Sequence, residues 1–205
     1  MCSAGVVSKT TEFGTARERL LAAAERALLE SGYERLSLRA VNAAAGMNPA
    51  AVHYHFGSKD ALVAALLEDR LGPLWQDALT DLAARAEGGM PPSVTELVDV
   101  VLTPLADLAA DPLGRLRLHL LARFVLGRRR DLPPAFTARW FGLEPWVRLL
   151  RAVRPDLTER EAARRWTLAF ALVLQHFGDP LADAPGREPS PSATLRTFVT
   201  AGLDA

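Results

Sequence analysis

Apolar residues recur at three- and four-residue steps along most of the chain, which is the period of one helical face. The first such run begins after Thr15 and carries Leu20, Ala24 and Leu28. Thr15 and Glu18 have the spacing of a capping box, in which each side chain accepts from the backbone N–H of the other. The sequence contains no run of alternating β-branched residues. The pattern therefore predicts an all-α fold.

Three short helices are predicted at the start of the chain, separated by glycines. Gly32 ends the first, and the second, over residues 38–45, closes at Gly46, since glycine tolerates a left-handed turn. Asn48 and Pro49 begin the third as cap and first helical residue, where the missing N–H of proline costs nothing. Short helices joined by a tight turn are typical of a helix-turn-helix, whose last helix enters the major groove of DNA.

Further helices are predicted to fill the rest of the chain, each beginning at a cap residue or a proline. Ser93 with Glu96 and Thr158 with Glu161 also have capping-box spacing. A Pro-, Gly- and Ser-containing segment, residues 183–191, predicts a linker before the last helix. The predicted starts are Ser58, Gly72-Pro73, Ser93, Asp111-Pro112, Pro133-Pro134, Thr158 and about Ser192.

Composition narrows the class of protein. With 205 residues, 49% of them hydrophobic and 23% charged, the chain is typical of a folded globular protein. Residues 1–13 lack the apolar run of a signal peptide, and the densest apolar stretch, residues 168–174, is far shorter than the roughly 18 residues of a membrane span. The single cysteine, Cys2, has no partner for an intramolecular disulfide. These features favour a cytoplasmic protein without a membrane partner.

The net charge and the local distribution of charge favour opposite conclusions about a polyanionic partner. The 24 basic and 24 acidic residues cancel, and a net charge of zero argues against a polyanionic partner. Between Arg35 and Lys59, however, no acidic residue occurs, while Arg39, His53 and His55 lie within the stretch. A surface that faces phosphate needs such a distribution. Read from these features alone, an ordinary three-helix core that lacks acids by chance is an equal alternative.

Five segments form an ordered, gap-free pattern over nearly fifty residues. They are Thr15-Ala-Arg-Glu-Arg-Leu-Leu, Ser31-Gly-Tyr, Leu36-Ser-Leu-Arg-Ala-Val, Ala44-Ala-Gly-Met-Asn-Pro-Ala-Ala-Val and Tyr54-His-Phe-Gly-Ser-Lys-Asp-Ala-Leu. This pattern resembles the N-terminal domain of the tetracycline-repressor (TetR) family. The resemblance implies a disordered tail over residues 1–13, a helix-turn-helix domain over 14–60, and a helical ligand-binding and dimerisation domain over 61–205.

The resemblance also implies a DNA-contacting surface on the second and third helices and at the start of the fourth. His55 and Lys59 resemble the family's phosphate contacts, and small Ala50 and Ala51 allow close approach to a thymine methyl. The family usually has a tyrosine, bonded to phosphate, where His53 stands; whether His53 donates to phosphate or to a guanine is left open. The predicted contacts are Ser37, Arg39, Asn48, Pro49, Ala50, His53, Tyr54, His55 and Lys59.

No metal site or cofactor is predicted from these residues. His53 and His55 lie two apart on a helix and point to roughly opposite sides, so joint chelation is not expected. The sequence also lacks a Gly-rich phosphate loop and a Ser/His/acid set in a motif context, which argues against an enzyme.

The later helices carry apolar and aromatic residues that fit either a plain core or a ligand cavity. His119, His176 and Arg123 are candidate polar partners of a ligand. The predicted ligand-binding residues are Trp75, Leu79, Val101, Leu105, Leu121, Phe124, Trp140, Phe141 and Phe170.

The helix after Thr158 is apolar around most of its circumference, so it must be buried on more than one side. Burial of this helix inside one domain would account for the pattern. The resemblance implies instead that this helix and the last one form the four-helix bundle of a homodimer. The predicted interface residues are Trp166, Phe170, Val173, Leu174, Phe177, Leu195, Phe198 and Val199.

The predicted function is that of a ligand-responsive transcriptional regulator. The expected form is a repressor that binds a palindromic double-stranded DNA operator as a homodimer and is released by a small, largely apolar effector. A ligand-independent or global regulator on the same scaffold is the alternative, and an enzyme is a remote one. Effector, operator sequence and the choice between repressor and activator stay open.

Overall fold

A computed structural model describes residues 15–127, 142–178 and 192–205 of the chain. The described residues are helical and contain no strand, which confirms the predicted all-α fold. The helices are α1 (Ala16–Arg35), α2 (Leu38–Ala44), α3 (Ala51–Phe56), α4 (Lys59–Leu71), α5 (Pro73–Glu87), α6 (Val94–Ala109), α7 (Pro112–Gly127), α8 (Glu144–Val153), α9 (Glu159–Phe177) and α10 (Ser192–Asp204). The predicted tail and linker lie outside the described residues.

Helix α1 begins as predicted but ends later. Thr15 and Glu18 form a complete capping box: the Thr15 hydroxyl accepts from Glu18 N at 3.2 Å, and the Glu18 carboxylate accepts from Thr15 N at 2.6 Å. Gly32, with φ of 72°, interrupts the helical backbone. The chain then continues helically to Arg35, so the glycine produces a kink where an end was predicted.

The two other predicted capping boxes are half formed. Ser93 and Thr158 do accept from the backbone N–H three residues on, at 3.1 and 3.2 Å. The Glu96 carboxylate, however, pairs with Arg85 at the end of α5, at 2.5 Å, and this pairing lowers the pKa of Glu96 below its ordinary value. An arginine within reach offers a carboxylate a charged donor, which binds it more strongly than a neutral backbone N–H.

Helix α8 corrects the prediction that no helix begins between Pro133-Pro134 and Thr158. Residues 142 and 143 form a bend, and a new helix begins at Glu144 with Pro145 in its first turn. Trp146 and Leu150 therefore belong to a helix with its own start. Residues 128–141, which include the predicted ligand-binding residues Trp140 and Phe141, lie outside the described part of the chain.

The chain divides into two compact units between Leu66 and Leu67, within α4. In the first unit α1 packs against α2, and α2 against α3. The side chains that meet there are apolar and fully enclosed, as the helical periodicity predicts. They include Leu20, Leu21, Leu28, Val41, Val52 and Leu62.

In the second unit α9 is central: it packs against α6, α7, α8 and α10. Trp166 of α9 is 1% exposed; its ring stacks on Phe170, with centroids 5.1 Å apart, and its indole N–H donates to Trp146 O at 2.8 Å. The Trp146 ring completes this cluster, 5.2 and 5.5 Å from the other two rings. The aromatic cluster thus joins α8 to α9 within one chain.

Two further findings concern membrane-spanning helices and metal-binding groups among the described residues. None of the helices described combines the length and apolarity needed to cross a membrane. In the same residues, no three His, Cys, Asp or Glu side chains come together in a group able to hold a metal ion.

Candidate nucleic-acid interface

The turn between α2 and α3 depends on Gly46. Its φ of 64° is left-handed, and a Cβ there would meet no atom within 4 Å, so the need for glycine is conformational. Two backbone bonds close the turn: Gly46 N donates to Ala43 O at 3.0 Å, and Met47 N donates to Asn42 O at 2.8 Å. The turn is therefore tight, as the helix-turn-helix pattern predicts.

Helix α3 starts later than predicted. The Asn48 side chain does act as a cap, since its oxygen accepts from Ala50 N at 2.8 Å. Its carbonyl then accepts from Ala51 N at 3.1 Å, a three-residue step tighter than an α-helical one. The regular helix begins only at Ala51, with Pro49 and Ala50 in the preceding turn.

The predicted DNA contacts lie on the solvent side of the first unit. All are exposed except Lys59, which is half-buried, and Tyr54 is 86% exposed. Val41 and Val52 are fully buried, as expected of core residues. Ala51 is buried as well, so the expectation that it approaches DNA is wrong: its methyl faces the core, and only Ala50 is exposed.

His53 has one ring nitrogen already engaged. Its Nδ1 lies 3.0 Å from Gly57 O, and because a carbonyl can only accept, Nδ1 must carry the proton. The neutral ring then offers an acceptor at Nε2, and only the protonated ring offers a donor there. A hydrogen bond donated from Nε2 to a phosphate or to a guanine acceptor therefore requires the imidazolium form of His53. A neutral His53 suits a base-edge donor, such as the amino group of adenine or cytosine.

Lys59 is held by the C-terminal end of α1. Its Nζ donates to Glu34 O at 3.3 Å and lies 4.5 Å from the centroid of the Tyr33 ring, which explains its partial burial. The Tyr33 hydroxyl donates to the Asp60 carboxylate. An ammonium has three donors, so Lys59 keeps capacity for a phosphate while bonded to Glu34.

Sequence reasoning missed Tyr33 and Asn42 as parts of this site. Tyr33 entered the sequence analysis only as part of the Ser31-Gly-Tyr segment. Its contacts with Lys59 and Asp60 were not predicted, because they join residues more than twenty positions apart. Asn42 is 1% exposed and bonds two backbone groups at the start of α3. The one signal for it in the sequence is an asparagine on the buried face of a predicted amphipathic helix.

The second unit encloses most of the predicted ligand-binding residues. Phe170 is half-buried in the aromatic cluster, while the others described are buried. Of the candidate polar partners, His119 donates from Nδ1 to Gly178 O at 3.1 Å, and burial lowers the pKa of His176. The buried set is Trp75, Leu79, Val101, Leu105, Leu121 and Phe124.

The predicted interface residues differ in exposure and fall into three groups. Phe198 is 69% exposed, Phe170 and Phe177 are half-buried, and the other five are buried within the single chain. Two leucines that were not in the predicted interface are exposed on α9: Leu168, at 71%, and Leu172. The five buried members are Trp166, Val173, Leu174, Leu195 and Val199.

Comparison with known proteins finds relatives by sequence and by structure. Residues 20–66 match the family described as bacterial regulatory proteins, tetR family. Over 70 residues the chain is 34% identical to the HTH-type transcriptional regulator BetI of Rhizobium meliloti (strain 1021). That match covers 34% of each protein, so the chain aligns with about a third of the length of this curated relative.

Two solved structures share the fold over most of the chain. NalD, the secondary repressor of the MexAB-OprM multidrug efflux pump in Pseudomonas aeruginosa, is 26% identical, with a TM-score of 0.62 over 93% of this chain and 98% of that one. SmeT, the repressor of the Stenotrophomonas maltophilia multidrug efflux pump SmeDEF, is 23% identical, with a TM-score of 0.59 over 92% and 86%. SmeT has also been solved in complex with triclosan. Residues 20–66, which include the helix-turn-helix, are thus similar to the tetR family of bacterial regulatory proteins.

Proposed function

We propose that the chain is a transcriptional repressor that binds a palindromic DNA operator as a homodimer and is released by a small, largely apolar effector. The observation that carries this proposal is the exposed surface of α2 and α3, whose segment between Arg35 and Lys59 contains no acidic residue. Such a surface can approach phosphate without repulsion, even though the whole chain is neutral.

The predicted DNA contacts divide into two roles. Ser37, the N-cap of α2, and Arg39, on α2, together with His55 and Lys59, would contact the phosphate backbone and fix the orientation of the protein. The residues at the α3 end of the turn would face base edges in the major groove. The base-facing set is Asn48, Pro49, Ala50, His53 and Tyr54.

The exposed apolar side chains of α9 and α10 support a homodimer. Leu168 and Leu172 lie four residues apart, so they share one face of α9, and Phe198 is exposed on α10. Large exposed apolar side chains on helices that pack together are typical of a protein interface. A twofold dimer would place its two α3 helices about 34 Å apart, in successive major grooves, and so requires a palindromic site.

The effector part of the proposal rests on the apolar interior of the second unit and on the likeness to SmeT, which has been solved with triclosan. Helix α4 is continuous from Lys59 to Leu71 and links the two units in sequence. An effector that favours a different position of α4 would change the spacing of the α3 helices. Release of DNA then follows from the effector's preference for that state.

Gel-shift titration of duplexes from the region upstream of the protein's own gene tests DNA binding. We expect salt-sensitive binding that the double variant Lys59→Ala, His55→Ala weakens on every duplex, because phosphate contacts are independent of sequence. Arg160→Ala removes a positive charge from α9 and serves as the matched control, with affinity expected to stay within about twofold of the wild type. Binding that is insensitive to salt, or unchanged in the double variant, would contradict the proposal.

Sedimentation of Leu168→Glu with Phe198→Glu tests the dimer, since a carboxylate cannot be buried there without a partner. We expect a monomer with unchanged helical content; a variant that remains dimeric places the interface elsewhere.

A thermal-shift screen of apolar compounds tests the effector, because a bound ligand raises the unfolding temperature. A compound that stabilises the protein but leaves DNA bound would favour the ligand-independent alternative.

A further inference from the structure

Asn42 is a polar residue whose side chain is buried in the apolar interior of the first unit. Aromatic residues apart, it is the only buried polar or charged side chain in the described ranges, at 1% exposure. It occupies α2 beside fully buried Val41, on the face that packs in the first unit. Burying an amide is unfavourable unless hydrogen bonds replace those that it makes to water.

Both ends of the Asn42 amide are bonded, and both partners are backbone groups of the segment leading into α3. Nδ2 donates to Pro49 O at 2.7 Å, and Oδ1 accepts from Val52 N at 3.0 Å. Because a carbonyl only accepts and an N–H only donates, these partners fix the orientation of the amide. The side chain therefore spans the start of α3 from a neighbouring helix.

No side chain of the α3 segment accepts from an N–H of the helix itself, because the Asn48 oxygen accepts from Ala50 N in the preceding turn. The residue at its N-cap position, Ala50, has no side chain able to accept a hydrogen bond. The helix is six residues long, well below the roughly 12–15 residues at which an isolated helix becomes marginally stable. The Asn42 side chain supplies the missing acceptor to Val52 N, and the Asn42 carbonyl also accepts from Met47 N in the turn.

From this geometry we infer that Asn42 is a positioning residue that sets where α3 lies against α2, and thereby governs discrimination between DNA sequences. The inference rests on the DNA-binding function proposed above. Asn42 is enclosed and does not face DNA. The base-facing residues lie on the segment that it holds, whereas the proposed phosphate contacts other than His55 lie outside α3. Loss of the amide therefore weakens sequence-specific binding more than non-specific binding.

The test uses three variants of the full chain. Asn42→Ala removes both bonds, and Asn42→Asp keeps the acceptor for Val52 N but loses the donor to Pro49 O. Leu28→Ala is the control, since Leu28 is equally buried but lies in α1. Affinity is measured by fluorescence anisotropy for a duplex that the wild type selects from a random library and for a scrambled duplex, at a temperature where every variant is folded by circular dichroism.

For Asn42→Ala we expect the ratio of selected to scrambled affinity to fall about tenfold, the size of effect that an unpaired buried hydrogen-bonding group produces. Asn42→Asp, which buries a carboxylate oxygen against Pro49 O, should lower the ratio at least as far, and Leu28→Ala should leave the ratio within about twofold. An unchanged ratio in Asn42→Ala, or an equal loss in Leu28→Ala, overturns the inference.

Hydrogen exchange without DNA separates this inference from the proposed function. In Asn42→Ala the Val52 amide should exchange about tenfold faster, while the buried amides of α1 keep their rates. An unchanged Val52 rate means that Asn42 does not hold α3 and overturns the inference. If the wild type enriches no sequence from the library, the proposed function fails, and a faster Val52 rate would still support the positioning of α3 by Asn42.

Discussion

Helices α3 and α9 are held in place by different physics. Helix α3 has six residues, of which only Ala51 and Val52 are buried, and directional bonds from Asn42 and Asn48 fix its start. Helix α9 has nineteen residues and is anchored by apolar burial around Trp166. A recognition helix must leave most of its surface free for its partner, so a few oriented polar contacts have to replace the area that it does not bury.

This difference predicts different consequences of substitution. Apolar contacts are non-directional, so damage to them lowers the free energy of unfolding. Hydrogen bonds depend steeply on distance and angle, so damage to them also displaces the element that they hold. Changes around α9 should therefore appear as lost stability, and changes around α3 as lost stability together with altered DNA recognition.

The largest effect is expected for Trp166→Ala. Removing this ring from the aromatic cluster should lower the free energy of unfolding by about 3–5 kcal/mol, as for other buried aromatic residues. Trp166→Phe keeps a six-membered ring and loses the N–H bond to Trp146 O together with the volume of the second ring, so it should be milder. Urea denaturation followed by far-ultraviolet circular dichroism measures both. Similar values for the two variants would contradict the view that burial of this six-membered ring anchors α9.

Gly46→Ala should rank second. The left-handed conformation at this turn costs a residue with a Cβ about 1–2 kcal/mol, and no neighbouring atom adds to that. Gly127→Ala is the matched control, because that glycine has equal space, lies at the end of a helix and has no left-handed φ. Urea denaturation should show a loss for Gly46→Ala alone. Equal stability of the two variants would contradict the conformational argument.

Tyr33 allows the two contacts around Lys59 to be separated. Tyr33→Phe removes the hydrogen bond to Asp60 and should cost about 0.5–1.5 kcal/mol, while the ring beside the Lys59 ammonium remains. Tyr33→Leu removes the ring as well, so it should also weaken binding to every duplex, specific or not. Thermal denaturation and anisotropy on the same samples measure the two effects. A full loss of DNA affinity in Tyr33→Phe would assign the role to Asp60 instead.

The smallest expected effect is a pH dependence from His176. Burial lowers the pKa of this histidine below its ordinary 6.5, so in the folded state it takes up a proton less readily than in the unfolded state. Stability should therefore fall as the pH drops below about 6.5. His176→Gln should flatten this part of the curve in denaturation measured at pH 7.5 and 5.5. An unchanged slope would mean that other groups carry the dependence.

Helices whose ends are marked by local chemistry were predictable. The start of α6 agrees with the prediction, because the Ser93 cap needs only a neighbour three residues away. The predicted DNA contacts are exposed for a similar reason: the periodicity of α2 and α3 separates enclosed Val41 and Val52 from the polar face. The role of Asn42 was not predictable, since its partner Val52 lies ten positions on and is reached only when the turn has formed.

Helix α9 shows a second limit of sequence reasoning. Apolar residues occupy most of its circumference, and this pattern is the same whether a face meets the same chain or a second copy. Sequence therefore placed Trp166 in the predicted interface and omitted Leu168, whereas the structure encloses the first and exposes the second. Only the packing of α8, α7 and α10 around α9 distinguishes the two faces.

The contacts that Asn42 makes with the α3 segment have an evolutionary consequence. They reach only a carbonyl and an N–H, which every residue other than proline possesses, so they are indifferent to the side chains of the segment they hold. Residues on the outer face, such as Ala50, His53 and Tyr54, can then be exchanged while the scaffold beneath them is retained. A randomised library at those positions should keep its fold, so the surface proposed to face DNA can change in this chain without a change in the scaffold that holds it.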